Sequence, residues 1–311
     1  MDPVTHAVIG VAVSKAAGNG IALSDPATMG IVIGSVFPDI DILLQKWGDY
    51  VYLKNHRGAT HSILGLAASA ALISAVLSGF YRGAGMQELF LWSMLGCLSH
   101  TFFDVFNSYG AKLLWPFNNK KFSLSLMTIF DPVFLALLMG YILSGGSIGQ
   151  VFLGAFAAYL VFRMGMRLAV ESGLKKKFKN CSVKLSVLPS MTGLFRWHFI
   201  LKTEKSNIVG EKSALKGDEK IMRTLHEIQD EAMDAVLHSA IGKFFREFTP
   251  LFHVTREKVG GVTRYIFIDL RYYVRNNFLH HGVLEFDRNN SIVKETFNPY
   301  SMSRCNLISG R

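Results

Sequence analysis

Residues 62–80, SILGLAASAALISAVLSGF, hold no ionisable side chain and run nearly the length that a helix needs to cross the hydrocarbon of a bilayer. The stretches 87–106, 128–143 and 148–170 are also predominantly apolar, and each is expected to span. Two shorter stretches, 4–17 and 27–37, read as short or interfacial helices packed on the others. Only 18% of the 311 residues are charged and half are apolar, whereas ordinary soluble chains carry about a quarter charged residues. Mean hydropathy is positive. The same figures exclude a disordered chain and a disulfide-rich secreted module. Cys97, Cys181 and Cys305 lie far apart with no CxxC pair, so neither a disulfide framework nor a cysteine-based zinc site is expected. MDPVTH lacks a basic leader, and no secretory signal peptide is expected.

The chain changes character near residue 171. Residues 1–171 carry ten Lys and Arg against nine Asp and Glu, and the remaining 23 and 14 fall in 172–311. In that second part, residues 182–189, 196–203, 263–273 and 281–287 are short β-branched and aromatic runs that read as strands. Gly260-Gly261 between such runs reads as a hairpin turn. Residues 217–248 read as one long amphipathic helix, with Asp218 near its start. The expected fold is therefore a mainly α-helical membrane domain over 1–171, with four spans and two short helices, followed by a small α+β domain over 172–311.

Alternating the direction of the six apolar stretches sorts the loops into two sets. One holds Lys46, Lys54, Arg57, Lys112, Lys120, Lys121, Lys175, Lys176, Lys177 and Lys179, and the other only Lys15 and Arg82. By the positive-inside bias the first set faces the cytoplasm, together with the C-terminal domain. The same side gathers His6, Asp39 and Asp41 of FPDID, His56 and His61 of HRGATHS, His100 and Asp104 of SHTFFD, and Asp131 of FDP.

His100 and Asp104 stand four apart on one helical face, where an imidazole and a carboxylate can chelate one divalent ion. Ionisable groups inside an apolar span are costly and usually functional. Pro38 disfavours helix at Phe37, so FPDID is expected to bend into a loop; if that loop is extended, Asp39 and Asp41 point the same way. Carboxylates beside imidazoles, with no thiolate, suit zinc, manganese or iron(II). An open position on such an ion lowers the pKa of a bound water toward about 7, which makes the expected site hydrolytic. Other readings stand beside these. His6 alone reads as a helix-start residue, His56 as a group acting behind a ligand, and Asp131-Pro132 as a helix cap. Arg163 and Arg167, also four apart, read either as side chains snorkelling to the interface or as clamps for an anionic group such as phosphate.

In order, MDPVTHAVIG, GSVFPDIDIL, HRGATHSILG, LSHTFFDVFNSYGAKLLWPF and IFDP resemble the YdjM-like family of membrane-bound metal-dependent hydrolases of bacteria and archaea, over roughly residues 1–135. The order His, Asp, His, HxxxD is also similar, more weakly, to the zinc-dependent phospholipase C and single-strand nuclease group, all-helical enzymes that cut phosphodiesters with a zinc cluster. That likeness implies His6, Asp39, His61, His100 and Asp104 as metal ligands. The group's further HxxxE motif is absent after Asp104, so one or two ions are expected. Asp41, His56, Arg163 and Arg167 are then the candidates for catalytic rather than ligating roles.

These readings make the chain a multi-pass protein of the cell inner membrane. It is expected to be a metal-dependent hydrolase of a phosphoester such as a lipid or lipid-linked head group. The alternative is a metal-dependent membrane sensor or scaffold whose C-terminal domain binds a cytoplasmic partner. Membrane lipid is the expected partner. The basic charge of the second part is dispersed and carries no recognition motif, so no specific nucleic acid is expected.

Overall fold

In the computed structural model of the chain, residues 1–179, 184–289, 291–300 and 305–310 are described. Two compact units emerge, one of Met1–Leu43 and Asn55–Gly165, the other of Leu44–Lys54 and Met166–Arg311.

The first unit is helical, and its helix starts are written in the sequence. In α1 (Pro3–Ala16) and α2 (Pro26–Val36) proline opens the helix, while Asp2 and Asp25 accept from the backbone N–H of Thr5 and Thr28. Ser62 caps α4 (Ile63–Phe80) through Gly65 N–H. Asp131 caps α6 (Pro132–Leu143) through the N–H groups of Val133 and Phe134. α3 (Asp49–Asn55) precedes the HRGATH turn, α5 (Met86–Val105) follows α4, and α7 (Gly146–Lys177) closes the helical series. The loop expected at FPDID is instead a 3-10 helix, Phe37–Trp47, that continues α2 without a break. Phe37 keeps helical angles (φ −58, ψ −36), and Pro38, which has no N–H to give to the preceding turn, stands where the α-helix passes into the 3-10 helix.

Three helices among the described residues are long and apolar enough to cross a membrane: the joined stretch Pro26–Trp47, α4 and α7. The 27–37 run thus gains its length from the 3-10 continuation. α6 is apolar but only 12 residues long. α5 has 20 residues, yet it buries Ser93, Ser99, His100, Thr101 and Asp104, a composition suited to packing inside protein rather than against lipid.

The α2–α5 contact is backbone against backbone. A Cβ on Gly34 would sit 2.3 Å from the Ser93 carbonyl oxygen, and one on Gly96 would sit 2.2 Å from that of Ile31. Gly30 meets Ser93, Gly34 meets Gly96 and Cys97, and Ser35 meets His100, so the two helices run in the same direction.

The second unit carries two antiparallel sheets. Strands β1 (Lys184–Pro189), β2 (Arg196–Lys202), β3 (Ser206–Ser213) and β4 (Glu219–His226) form one, in that order. The other has the order β11-β10-β9-β6-β5, built from β5 (Phe252–Val259), β6 (Val262–Asp269), β9 (His280–Phe286), β10 (Ile292–Pro299) and β11 (Asn306–Gly310). A small hairpin pairs β7 (Tyr273–Val274) with β8 (Asn277–Phe278). Gly260 and Gly261 turn β5 into β6 with φ of 59 and 82, as the sequence predicts. The long helix expected over 217–248 is a strand and two short helices, α8 (Met233–His238) and α9 (Ala240–Phe248). Residues 219–226 pair with β3, and Ser239 starts a fresh helix by accepting from Gly242 N–H. α9 lays Phe244, Phe245 and Phe248 against Phe267 and Phe297. The last turns of α7 bury Met166, Val170 and Leu174 with Val187, Trp197 and Phe199. Cys97 is buried, Cys305 is exposed and both are free thiols, while Cys181 and the first two residues of the run at 182–189 lie outside the described residues.

Two predictions follow from this packing. Gly96→Val drives a branched side chain into the Ile31 carbonyl, and we expect a loss of about 1–3 kcal/mol, read as a lower midpoint of thermal unfolding in detergent. Burial pushes His280 down to about 4 and also lowers His198, His253 and His281 from their ordinary 6.5. Below that value the unfolded chain binds protons that the folded rings refuse, so stability present at pH 7 declines as pH falls from 6.5 toward 4. Chelator-treated full-length protein should melt at least about 5 °C lower at pH 5 than at pH 7, and His280→Gln should reduce that difference.

Candidate metal centre

α5 carries His100 and Asp104 on one face, and neither has any exposed surface. His100 Nδ1 donates to the Ser35 carbonyl at 2.7 Å, which leaves Nε2 as the lone-pair nitrogen of the neutral ring. That Nε2 lies 3.0 Å from His61 Nε2, 3.5 Å from Asp39 Oδ1 and 3.6 Å from Asp104 Oδ2. His61 Nε2 lies 3.4 Å from each of the same two oxygens. One atom from each of Asp39, His61, His100 and Asp104 thus falls within 4.8 Å of all the others. Ligands held about 2.1 Å from a tetrahedral ion stand about 3.4 Å apart, and the spacings here run from 3.0 to 3.6 Å.

The donor chemistry fits a cation as well as the spacing does. Asp39 Oδ1 and Asp104 Oδ2, the two oxygens turned inward, have no hydrogen-bond donor among the described residues. Two carboxylate oxygens and two imidazole nitrogens therefore converge in a buried space, an arrangement that repels itself unless a positive charge stands among them. His61 Nδ1 is engaged by Thr60 Oγ1 at 3.0 Å, so each ring is held from its far nitrogen.

His6 is fully buried and stacks on His100 with ring centroids 3.7 Å apart. Its Nε2 lies 3.3 Å from Asp104 Oδ1, the other oxygen of that carboxylate, and outside the four-atom set. The amino group of Met1 contacts Asp104 Oδ1 as well. Asp41 turns toward the HRGATH segment. It accepts from His56 Nδ1 at 2.9 Å and from Arg57 N–H at 3.1 Å, and Asp39, Asp41 and His56 form a second set of ligand-type atoms adjoining the first. Burial holds the His56 imidazole below its ordinary value, against the Asp41 carboxylate that pulls it up.

The two arginines read as clamps are not brought to this cluster. Arg163 is buried and donates through Nε and Nη2 to the Leu126 carbonyl at 3.0 and 2.6 Å, closing a loop end. Arg167 belongs to the second unit, where Nε reaches the Val187 carbonyl at 3.4 Å and Nη2 lies 3.9 Å from Glu171. Asp131 caps α6 and accepts from Tyr159 Oη at 2.7 Å, the structural role expected of it. The arginine at the cluster is Arg57, with Nη2 3.1 Å from Asp104 Oδ1. Its one signal in the sequence is its place in HRGATH between His56 and His61.

The chain matches the YdjM inner membrane protein family over residues 1–170 and a YfhP C-terminal alpha/beta plait domain over residues 231–306. A relative from Bacillus subtilis (strain 168), described as "Uncharacterized protein YfhP", is 30% identical over 296 residues, covering 89% of each chain. No solved structure gives a significant match. The first match takes in every ligand-type residue of the cluster. With more than half of its length matched, and with a relative at this identity along most of the rest, the chain is a membrane protein and belongs to the YdjM inner membrane protein family.

Proposed function

We propose that the protein is an integral membrane hydrolase that uses one or two divalent ions, zinc first among them with manganese or iron as alternatives, to cleave a phosphoester. A lipid or lipid-linked head group is the substrate class that the membrane setting favours. The observation that carries this reading is the convergence of four buried ligand atoms at 3.0–3.6 Å, two of them carboxylate oxygens without a donor. Two nitrogens and two oxygens, with no sulfur, match hydrolytic rather than structural zinc sites. With four protein donors, a divalent ion bound there would need a further position, as five-coordinate zinc or six-coordinate manganese or iron allows, to supply Lewis acidity toward a phosphoryl oxygen and a water of lowered pKa.

The chain's own groups supply the rest. Ser35 and Thr60 fix the two ligating rings. Asp41 accepts from Nδ1 of His56, which fixes the tautomer and orientation of that ring beside the cluster and makes it the candidate for proton exchange. The ten-to-two distribution of Lys and Arg between loop sets supports a multi-pass chain whose metal centre and C-terminal domain face the cytoplasm.

Protein purified in detergent should contain zinc, manganese or iron by elemental analysis. His61→Ala and Asp104→Ala should each lower occupancy more than about tenfold. Hydrolysis of phospholipid or generic phosphodiester substrates should stop with chelator and return with metal. A protein that holds its ion yet turns over no ester is the sensor or scaffold instead. A C-terminal reporter that fluoresces only when folded in the cytoplasm should be bright, and a dark fusion reverses the orientation.

A further inference from the structure

Arg57 is 4% exposed, and only Nη2 of its guanidinium is accounted for, on Asp104 Oδ1 at 3.1 Å. Nε and Nη1 have no hydrogen-bond partner among the described residues. A buried guanidinium with most of its N–H donors unpaired is expensive, and native proteins keep such a group where a ligand completes it. Its backbone is held from both sides: Arg57 N–H donates to Asp41 Oδ2 at 3.1 Å, and its carbonyl accepts from Lys112 N–H at 3.0 Å. Its φ of 60 is one that a side-chain-bearing residue rarely adopts, and such strain persists where the surroundings over-determine a position. The Tyr109 ring lies 5.6 Å from the guanidinium carbon. Backbone, face and one corner are thus fixed, while the remaining edges carry unmet donors.

We propose that Arg57 is the phosphoryl-binding residue of this site, seating the anionic oxygens of the substrate on its Nε and Nη1 donors next to the carboxylate that faces the ion. This rests on the metallohydrolase reading and replaces Arg163 and Arg167 in the role that their spacing alone invites. An arginine fits because its donors are spread around a rigid plane, so one can hold Asp104 while others hold a phosphate oxygen; a lysine ammonium gathers all its donors on one atom.

The test uses full-length protein in detergent, loaded with zinc, with inorganic phosphate titrated by calorimetry and metal content measured on the same samples. Arg57→Gly suits the left-handed backbone and removes only the side chain, and Arg57→Lys keeps the charge. Both should weaken phosphate binding at least about tenfold with metal content unchanged, while Arg167→Gln binds as the parent does. In a second arm, micelles doped with phosphatidic acid should compete with inorganic phosphate in the parent and lose that competition in Arg57→Gly. Competition by free phosphate analogues but not by the lipid still supports the seat and makes its source soluble. Phosphate affinity within about twofold of the parent in both Arg57 variants, at full metal content, overturns the proposal. So does a loss of metal in Arg57→Gly, since Arg57 would then serve only to hold Asp104. A parent protein that takes up no metal overturns the metallohydrolase reading instead, and leaves the Arg57 comparison readable on the protein as purified.

Discussion

The candidate metal centre depends on how closely two helix backbones can approach. His100 reaches the Ser35 carbonyl only because α2 and α5 touch through Gly34 and Gly96, where even a methyl group would overlap a carbonyl oxygen. In an apolar surrounding, small residues that let backbones meet supply packing that larger side chains prevent. The contact also fixes register. With Gly30 at Ser93 and Gly34 at Gly96, the ends of both helices arrive together, and the carboxylate of the following 3-10 turn meets the imidazole and carboxylate of α5. A widening here would swing His100 off its acceptor and spread the ligand atoms beyond reach of one ion.

Charge then decides what such a pocket can hold. Three carboxylates, Asp39, Asp41 and Asp104, stand at the cluster with one guanidinium, Arg57, and the Met1 amino group on the outer oxygen of Asp104. Burying an uncompensated carboxylate is strongly unfavourable, and removing one partner from a buried ion pair typically costs about 3–5 kcal/mol. A cation is the species that meets the two inward oxygens that lack donors. The same bookkeeping explains why Asp104 is surrounded on its outer oxygen by His6 and Arg57: a carboxylate with no exposed surface needs both oxygens satisfied.

Much of the site was legible because helical spacing carries three-dimensional information. His100 and Asp104 could be placed on one face from their separation of four, and the cap at Asp131 from its residue type and the proline that follows it. What escaped was whatever depended on contacts between segments. Residues 217–248 hold helix-forming residues, yet 219–226 become an edge strand because β3 offers them a partner. Arg163 looked like a ligand clamp because its spacing from Arg167 is local, while its real acceptor, the Leu126 carbonyl, lies 37 residues away. Arg57 was hidden for the opposite reason. Nothing in its neighbourhood of the sequence records a left-handed backbone angle or an unpaired donor.

The 3-10 helix gives the site its division of labour. An extended FPDID would aim both aspartates at one side, and they would compete for the same ion. At three residues per turn, positions two apart are rotated by about 120° from each other. Asp39 therefore faces His61 and His100, while Asp41 faces the HRGATH segment and accepts from both the His56 ring and the Arg57 backbone. Two chemically identical side chains thus stand in different places, Asp39 among the ligand-type atoms and Asp41 as the acceptor that holds the Arg57 backbone. Asp41→Asn would retain the volume and lose the charge-assisted acceptor. Its effect should then fall on anion binding through Arg57 before it falls on the ion itself, since none of the four closest ligand atoms is contributed by Asp41.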